Sequence, residues 1–376
     1  MNDNKISKNS IVAKFAVPIS FLILFFLAAN FTDCDLVTFW KRRNHLTDLV
    51  VDMIPPDFSY IQKILLPLFY TIQMSVTGTV LGIFFALVLS PFGAANLGFP
   101  AVIRRILRIV IQILRSFPAL ILALTATFLF GLGTFAGTFA ITLYTFAIMT
   151  KLTYEDASAA DVKAYQALRA MGVSKYVAYI HGILPEIIPG FLTNALYLLE
   201  TNVRHSSILG YVGAGGIGLL LNEKISWLEY DKVGTILLML FLTVCVIEYF
   251  SRYLAALIRK ERTIKKEQAR LLLLFLAALF LICTFTLSLP DFSRTSPQTL
   301  RNMFAGFLQP DWSFFFSAEK DGLGYLLLET VCIAFIGTVI GAIVSAPLAF
   351  LNTKRFVPAP VSFLFNPVSY THLTLP

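Results

Sequence analysis

The sequence is short of charge. Only 14% of its 376 residues are Asp, Glu, Lys or Arg, while 57% are hydrophobic. Soluble domains carry about 25% charged residues, so this scarcity excludes an ordinary soluble fold. Cysteine is scarce too, and the four that exist have no CxxC or metal-ligand spacing. Cys245, Cys283 and Cys332 sit in apolar runs and Cys34 lies outside them, which argues against a disulfide framework or a metal site. The four histidines, His45, His181, His205 and His372, are scattered. No nucleophile–base pair can be assembled, and the intramembrane His or Asp cluster of a membrane-bound enzyme is missing. The expectation is a protein without catalytic residues, metal or cofactor. Basic residues outnumber acidic ones by 30 to 22. They gather in short loops between apolar runs, as in the cytoplasmic loops of a polytopic membrane protein, and do not indicate a nucleic-acid partner.

What is present is a series of apolar stretches near the ~20 residues needed to cross a bilayer. The expected fold class is therefore an all-α polytopic membrane protein in contact with membrane lipid. Spans are expected at about Val12–Asn30, Pro67–Leu89, Ile109–Phe130 (with a kink at Pro118), Phe135–Thr150, Glu186–Ile208 and Val233–Ile258. With the amino terminus inside, Arg104, Arg105, Arg108, Lys151 and the run from Arg259 to Arg270 all fall on the cytoplasmic side. A cleaved signal peptide competes for the first span. Phe31 to Leu66 is polar and mixed and is expected outside. Gly78 and Gly82 form a small-xxx-small pair that lets helices approach closely.

The pattern then repeats in the same orientation. Leu271–Leu289 opens a second copy; Pro310-Asp311-Trp312-Ser313-Phe314 echoes Pro56-Asp57-Phe58-Ser59-Tyr60, and Gly337-Thr338-Val339-Ile340-Gly341 echoes Gly78-Thr79-Val80-Leu81-Gly82. A repeat changes the fold reading, so it is weighed first. It divides the chain into a first helix and outer loop (1–66), a full unit (67–259), the start of a second copy (260–355) and a truncated tail (356–376) that is not expected to be native. A direct repeat also disfavours a gradient-driven secondary transporter, which would show inverted repeats. The repeat makes the first span a retained helix, because its counterpart at Leu271 lies mid-chain.

The longest amphipathic, charge-bearing segment is AYQALRAMGVSKYVAYIHGILPEIIPGF, Ala164–Phe191. It reads as two short helices on a glycine hinge. Ala164, Ala167, Leu168 and Met171 share one face, and Lys163, Gln166 and Arg169 the other. Gly172 ends the first helix in a left-handed cap, Ser174 caps a second through Gly182, and Pro185 opens the next span. Gln166-Ala167, Gly172 and Ile183-Leu184-Pro185 resemble the "EAA" coupling loop of ABC importer permeases, with Gln166 where that family usually has Glu.

The stretch LGYVGAGGIGLLL, Leu209–Leu221, carries Gly210, Gly213, Gly215, Gly216 and Gly218. A dinucleotide site would need a βαβ setting, which is absent. Together with Asn202-Val203-Arg204 this segment resembles the phosphonate-permease (PhnE-like) branch of the same family. The resemblance implies the MetI-like type I importer transmembrane fold with about eight spans. It implies a cytoplasmic ABC ATPase dimer docked at Gln166, Ala167, Gly172, Ile183, Leu184 and Pro185. It implies an extracytoplasmic substrate-binding protein, and a second permease copy or chain. The implied cargo is a phosphonate or related phosphorus oxyanion; another small solute such as methionine is the alternative. Asn202, Arg204 and the five glycines are expected at the translocation path or its gate, against a reading as tight helix packing. Glu200 and Arg204, four residues apart, read either as a structural ion pair or as a substrate-attracting arginine.

Overall fold

In the computed structural model, residues 6–34, 36–261 and 265–290, positions 298, 301, 302, 305, 306 and 309, and residues 312–317 and 322–352 are described. The helices of six or more residues are α1 (Ile6–Phe31), α2 (Leu36–Lys41), α3 (Arg43–Asp52), α4 (Ile61–Gly93), α5 (Ala101–Ser116), α6 (Ala119–Phe130) and α7 (Thr134–Ala159), then α8 (Lys163–Ala170), α9 (Lys175–Gly182), α10 (Leu184–Leu209), α11 (Ile217–Ser226), α12 (Tyr230–Ile258), α13 (Lys266–Phe285) and α14 (Leu323–Asn352). No strand occurs among the described residues. Five of these helices are long and apolar enough to cross a membrane, and up to seven spans result if each of two bent pairs counts as one.

The contacts divide the chain into two units. The larger runs from Thr47 to Phe304. Its centre is the crossing of α4 and α7, which the glycine pair makes possible. A methyl group on Gly78 would meet Ile141 Cγ2 at 2.7 Å and the Thr138 carbonyl oxygen at 2.9 Å; one on Gly82 would meet Thr145 Cβ at 2.7 Å. The backbones approach closely because neither residue has a Cβ. Met74, Leu122, Ala123, Ala140 and Ile141 fill the contact with α6, and Ala86, Met149, Phe191, Ala195 and Leu198 fill that with α10. Gln73, fully buried, ties α13 to α4 by donating Nε2–H to the Cys283 carbonyl (3.0 Å) and to Thr286 Oγ1 (2.8 Å).

In the smaller unit, up to Leu46 and from Ala305 onward, α1 packs along α14. Phe21 meets Phe335 edge-on with centroids 5.0 Å apart, and Phe31 lies 4.9 Å from Tyr325. Among the described residues, nothing beyond their own stretch of helix lies within 4 Å of where a Cβ on Gly337 or Gly341 would sit.

The third span needs correction. It is not one kinked helix from Ile109, but α5 and α6 set at 94°. Pro118 has no N–H to continue α5, and it forces Phe117 out of helical geometry, to φ −84°, ψ 125°. The basic turn ending at Arg108 is itself the first half of α5. The second span begins earlier than Pro67, because Ile61–Leu66 is already helical and Pro67 sits inside α4. In the repeat, Pro310, Asp311 and everything from residue 353 lie outside the described residues.

Candidate functional site

The α8–α9 hairpin is built by local rules. Met171 closes α8 with its N–H on the Ala167 carbonyl, and Gly172 follows at φ +86°, a left-handed conformation that costs other residues about 1–2 kcal/mol. Ser174 accepts the Val177 N–H and caps α9. Ile183, fully buried, is the single joint between α9 and α10, where the axis turns by 70°. Pro185 lies in the first turn of α10.

The face of Ala164, Ala167, Leu168 and Met171 is split, for Leu168 packs against the core. Ala164, Ala167 and Met171 are exposed, Met171 at 70%; Tyr165 is the buried residue of α8. Its ring joins Ala94, Leu97, Tyr154, Ala157, Ala178, Tyr179, Ile183 and Ile187 in one core. Its hydroxyl donates to the Leu97 carbonyl at 2.6 Å, and burial raises its pKa. Lys175 donates to the Gly98 carbonyl from the other helix. Gly182 lies against the backbone of α8, so a Cβ there would stand 2.8 Å from the Tyr165 nitrogen. The sequence pattern points to neither Tyr165 nor Gly182 as an anchor. A tyrosine one position off an alanine-rich stripe, and a glycine read only as a helix end, carry no sequence signal for these contacts. Gln166, Ala167, Gly172 and Pro185 therefore present outward, whereas Ile183 is buried and Leu184 is half-buried against the core.

The polar end of α10 is divided. Asn202 is fully buried, and its Nδ2 donates to Thr79 Oγ1 on α4 and Thr145 Oγ1 on α7, both at 2.8 Å. Ser75 and Ser206 share a hydrogen bond at 2.7 Å one turn away. This network locks α4, α7 and α10 together. Glu200 and Arg204 form the i,i+4 ion pair; the Arg204 side chain is partly exposed, and its Nε is buried without a partner.

The glycines have separate tasks. Gly213, Gly215 and Gly216 have φ of +83°, +80° and +73° and turn the chain from α10 into α11. Thr71 Oγ1 on α4 accepts the Ile217 N–H at 2.8 Å, capping α11 from another helix. Gly210 and Gly218 allow backbone contact: a Cβ on Gly218 would lie 1.9 Å from the Ser207 carbonyl oxygen.

Beyond this turn, Lys224 is buried, with its ammonium 3.0 Å from Glu223 and 2.9 Å from Glu229 and 4.0 Å above the Trp227 ring. Burial pulls its pKa down, but the hydrogen bonds to Glu229 and Glu223 outweigh that and the net shift is upward. The Lys232 and Lys224 ammonium groups lower the pKa of Glu229. This clasp joins α11 to the start of α12, with the Lys224 ammonium also 5.5 Å from the Tyr60 ring just before α4, and nothing in the sequence pattern announces it.

Residues 78–263 match the family profile described as "Binding-protein-dependent transport system inner membrane component". A phosphite transport system permease protein of Stutzerimonas stutzeri is 31% identical over 217 residues, 58% of this chain and 79% of that relative. The chain belongs to this permease family. A phosphate-import permease protein of Mycolicibacterium smegmatis is 32% identical over 203 residues, 54% of this chain and 38% of that relative. Among solved structures, a chain of the inward-facing MetNI methionine ABC transporter is 20% identical with a TM-score of 0.48, covering 54% of this permease and 99% of that chain. The matched region holds the second half of α4 and all of α5 to α12, so it includes the hairpin, Asn202 with Thr79 and Thr145, and the glycine turn. Membership makes the chain a multi-pass inner-membrane component of a transport system whose family works with a binding protein.

Proposed function

We propose that this chain is the permease subunit of an ATP-driven importer for a phosphorus oxyanion such as phosphite, phosphate or a phosphonate. The relatives' printed roles as phosphite and phosphate permeases carry the cargo class. The observation that carries the mechanism is the α8–α9 hairpin. It is anchored on its inner side by Tyr165, while Ala164, Gln166, Ala167, Met171, Val177 and Ile180 are left uncovered. Such a capped, partly apolar knob at the basic end of a bundle fits a groove in a cytoplasmic partner. Lys151, Lys163, Arg169 and Lys175 lie at or near that end, which favours its being cytoplasmic; the amino terminus is read as cytoplasmic too. Separate ATPase subunits would dock on Gln166, Ala167, Gly172 and Pro185 and hydrolyse ATP. Their closing would move α9, and through Ile183 and Leu184 the whole of α10. A binding protein would deliver the anion at the opposite end, near the glycine turn. The path would lie between this unit and a second permease copy, supplied by the repeat or by another chain. Asn202 and the glycines would hold the helices that move, and Arg204 would stand at the path.

The test is co-purification of the cognate ABC ATPase with the permease in the wild type, in Met171→Glu and in a deletion of 166–171, each at matched membrane levels. Loss of the ATPase in both variants supports the hairpin reading. Equal recovery from all three overturns it. Uptake of radiolabelled phosphite, phosphate, methylphosphonate and methionine then assigns the cargo.

A further inference from the structure

Helix α11 ends on a residue that its backbone does not favour. The last turn closes with the Leu228 N–H on the Ile225 carbonyl and the Glu229 N–H on the Lys224 carbonyl, both at 3.1 Å. This pair of bonds calls for a left-handed residue, ordinarily glycine. The same closure ends α8, where the residue is Gly172 at φ +86°. In α11 it is Leu228, at φ +59°. Among the described residues the non-glycines with positive φ are Asp33, Leu228 and Lys260, and leucine is the apolar one. A bulky side chain in this conformation brings its Cβ against the following carbonyl oxygen, which glycine avoids. Burial does not offset the strain. Leu228 is 68% exposed, and Trp227 beside it 62%. Strain of this kind gathers where a partner or ligand is gripped.

The Lys224 clasp explains how the tip is held. In such closures an apolar contact usually ties the residue after the left-handed one to the last turn. Here the Glu229–Lys224 ion pair, at 2.9 Å, takes that place. Glu229 is held again by Lys232 at 2.7 Å, and the Lys224 ammonium lies 4.0 Å over the Trp227 ring. Two large apolar side chains are thus fixed in the open by charges that are themselves fixed. A tip arranged in advance loses little freedom on binding. An exposed tryptophan with an apolar neighbour and a charged surround has the make-up of a contact centre and its rim.

The tip stands at the end of the bundle away from the hairpin. Helix α12 begins two residues after Leu228 and runs 29 residues to Ile258, next to Arg259 and Lys260. It is about 43 Å long, against ~30 Å of hydrocarbon. Five of the ten residues from 223 to 232 are charged: Glu223, Lys224, Glu229, Asp231 and Lys232. That density sets this end at the level of water, not of acyl chains. A fluid bilayer would also accept an apolar side chain from relaxed backbone, and needs neither the strain nor the clasp. A folded partner with a fitted recess gains from both.

We propose that Trp227 and Leu228 form a knob on which the extracytoplasmic binding protein docks, entering an apolar recess on that protein while Glu223, Asp231 and Lys232 lie at the rim. The site rests on the importer reading above and names the contact through which the binding protein would engage.

The experiment holds the permease with its ATPase in nanodiscs of pure phosphatidylcholine and titrates in the fluorescently labelled cognate binding protein. Leu228→Gly is the central variant. Glycine suits the φ of +59°, so the protein should melt at the wild-type temperature or above it, yet its dissociation constant for the binding protein should rise about 10-fold or more. Trp227→Ala should raise it about 30-fold, the scale of an aromatic at the middle of an interface. If Leu228→Gly and Trp227→Ala both bind as the wild type does, the site is overturned and the importer stands. A second readout uses a permease carrying Trp40→Phe and Trp312→Phe, in which Trp227 is the remaining tryptophan. Its fluorescence should be insensitive to brominated phosphatidylcholine and should change when the binding protein is added. Strong quenching by the brominated lipid would put the tip in the bilayer and overturn the site. If the wild type keeps its ATPase but binds no binding protein, the importer reading falls and takes the site with it.

Discussion

Three glycines within α9, α10 and the turn before them should respond to alanine with different signs, and together they test how the hairpin is held. At Gly182 a new Cβ would stand 2.8 Å from the Tyr165 nitrogen, 2.9 Å from its Cα and 3.2 Å from the Ala164 carbonyl carbon. All are backbone atoms, so no rotamer change relieves the clash. Ordinary contact begins at 3.4 Å; α8 must therefore retreat by 3.4 − 2.8 = 0.6 Å relative to α9. Overpacking of this kind costs about 1–3 kcal/mol. Gly172 meets nothing within 4 Å, but its φ is +86°, so alanine there costs about 1–2 kcal/mol of backbone strain without moving a helix. Gly190 lies inside α10 with open space around it. Alanine at that position should stabilise by about 0.5–1 kcal/mol, because glycine is the weaker helix former. Chemical unfolding of the purified permease in mixed micelles gives the three differences. The Gly182→Ala and Gly190→Ala proteins should separate by about 1.5–4 kcal/mol, the sum of the two ranges. Equal stability of these two variants would refute the close packing of α8 on α9.

Tyr165→Phe should cost about 1–3 kcal/mol in the same assay, since the buried Leu97 carbonyl loses its donor; amide exchange at α8 should rise with it. Gln73→Leu should change stability by less than about 1 kcal/mol. The hydrogen bonds it loses to α13 are worth about 0.6 kcal/mol each between membrane helices, and the substitution also removes the buried, unpartnered Oε1. The Lys224 clasp has a defined pH window. Glu229 is depressed below 4.5, so its contribution is complete above that value and fades as pH falls through the lower folded pKa; Lys224 is raised above 10.5, so its contribution is complete below that value and is lost only at still higher pH. Melting curves of wild type and Glu229→Gln should therefore differ by a constant amount between about pH 5 and pH 10 and converge in stronger acid.

The parts of this fold that could be read from the sequence are those encoded by neighbours in the chain. Gly172, Ser174 and Pro185 punctuate the α8–α9 hairpin by rules that act over three or four residues, and the hairpin appears where they place it. Gly78 and Gly82 announce a close crossing, although not that its partner is α7. The break at Pro118 was legible as a disturbance only; a kink and a 94° turn carry the same proline, and the difference lies in what α6 packs against. Asn202 looks equally like a path residue or a lock until Thr79 and Thr145 are brought beside it. Tyr165, Gly182, Thr71 and Lys224 act through partners between a few and well over a hundred positions away, and period and composition do not register such pairings.

The joint at Ile183 has a mechanical consequence. With α9 of eight residues and α10 of 26, and a rise of 1.5 Å per residue, the bent rod has arms of about 12 Å and 39 Å. If the proposed coupling turns the two helices as one piece about Ile183, with α4 and α7 following α10, the rod would act as a lever with a gain of about three. A displacement of 1 Å at the tip of the short arm would then become about 3 Å at Leu209, four residues before the first left-handed glycine, Gly213. The far end of such a stroke would fall next to the turn formed by Gly213, Gly215 and Gly216.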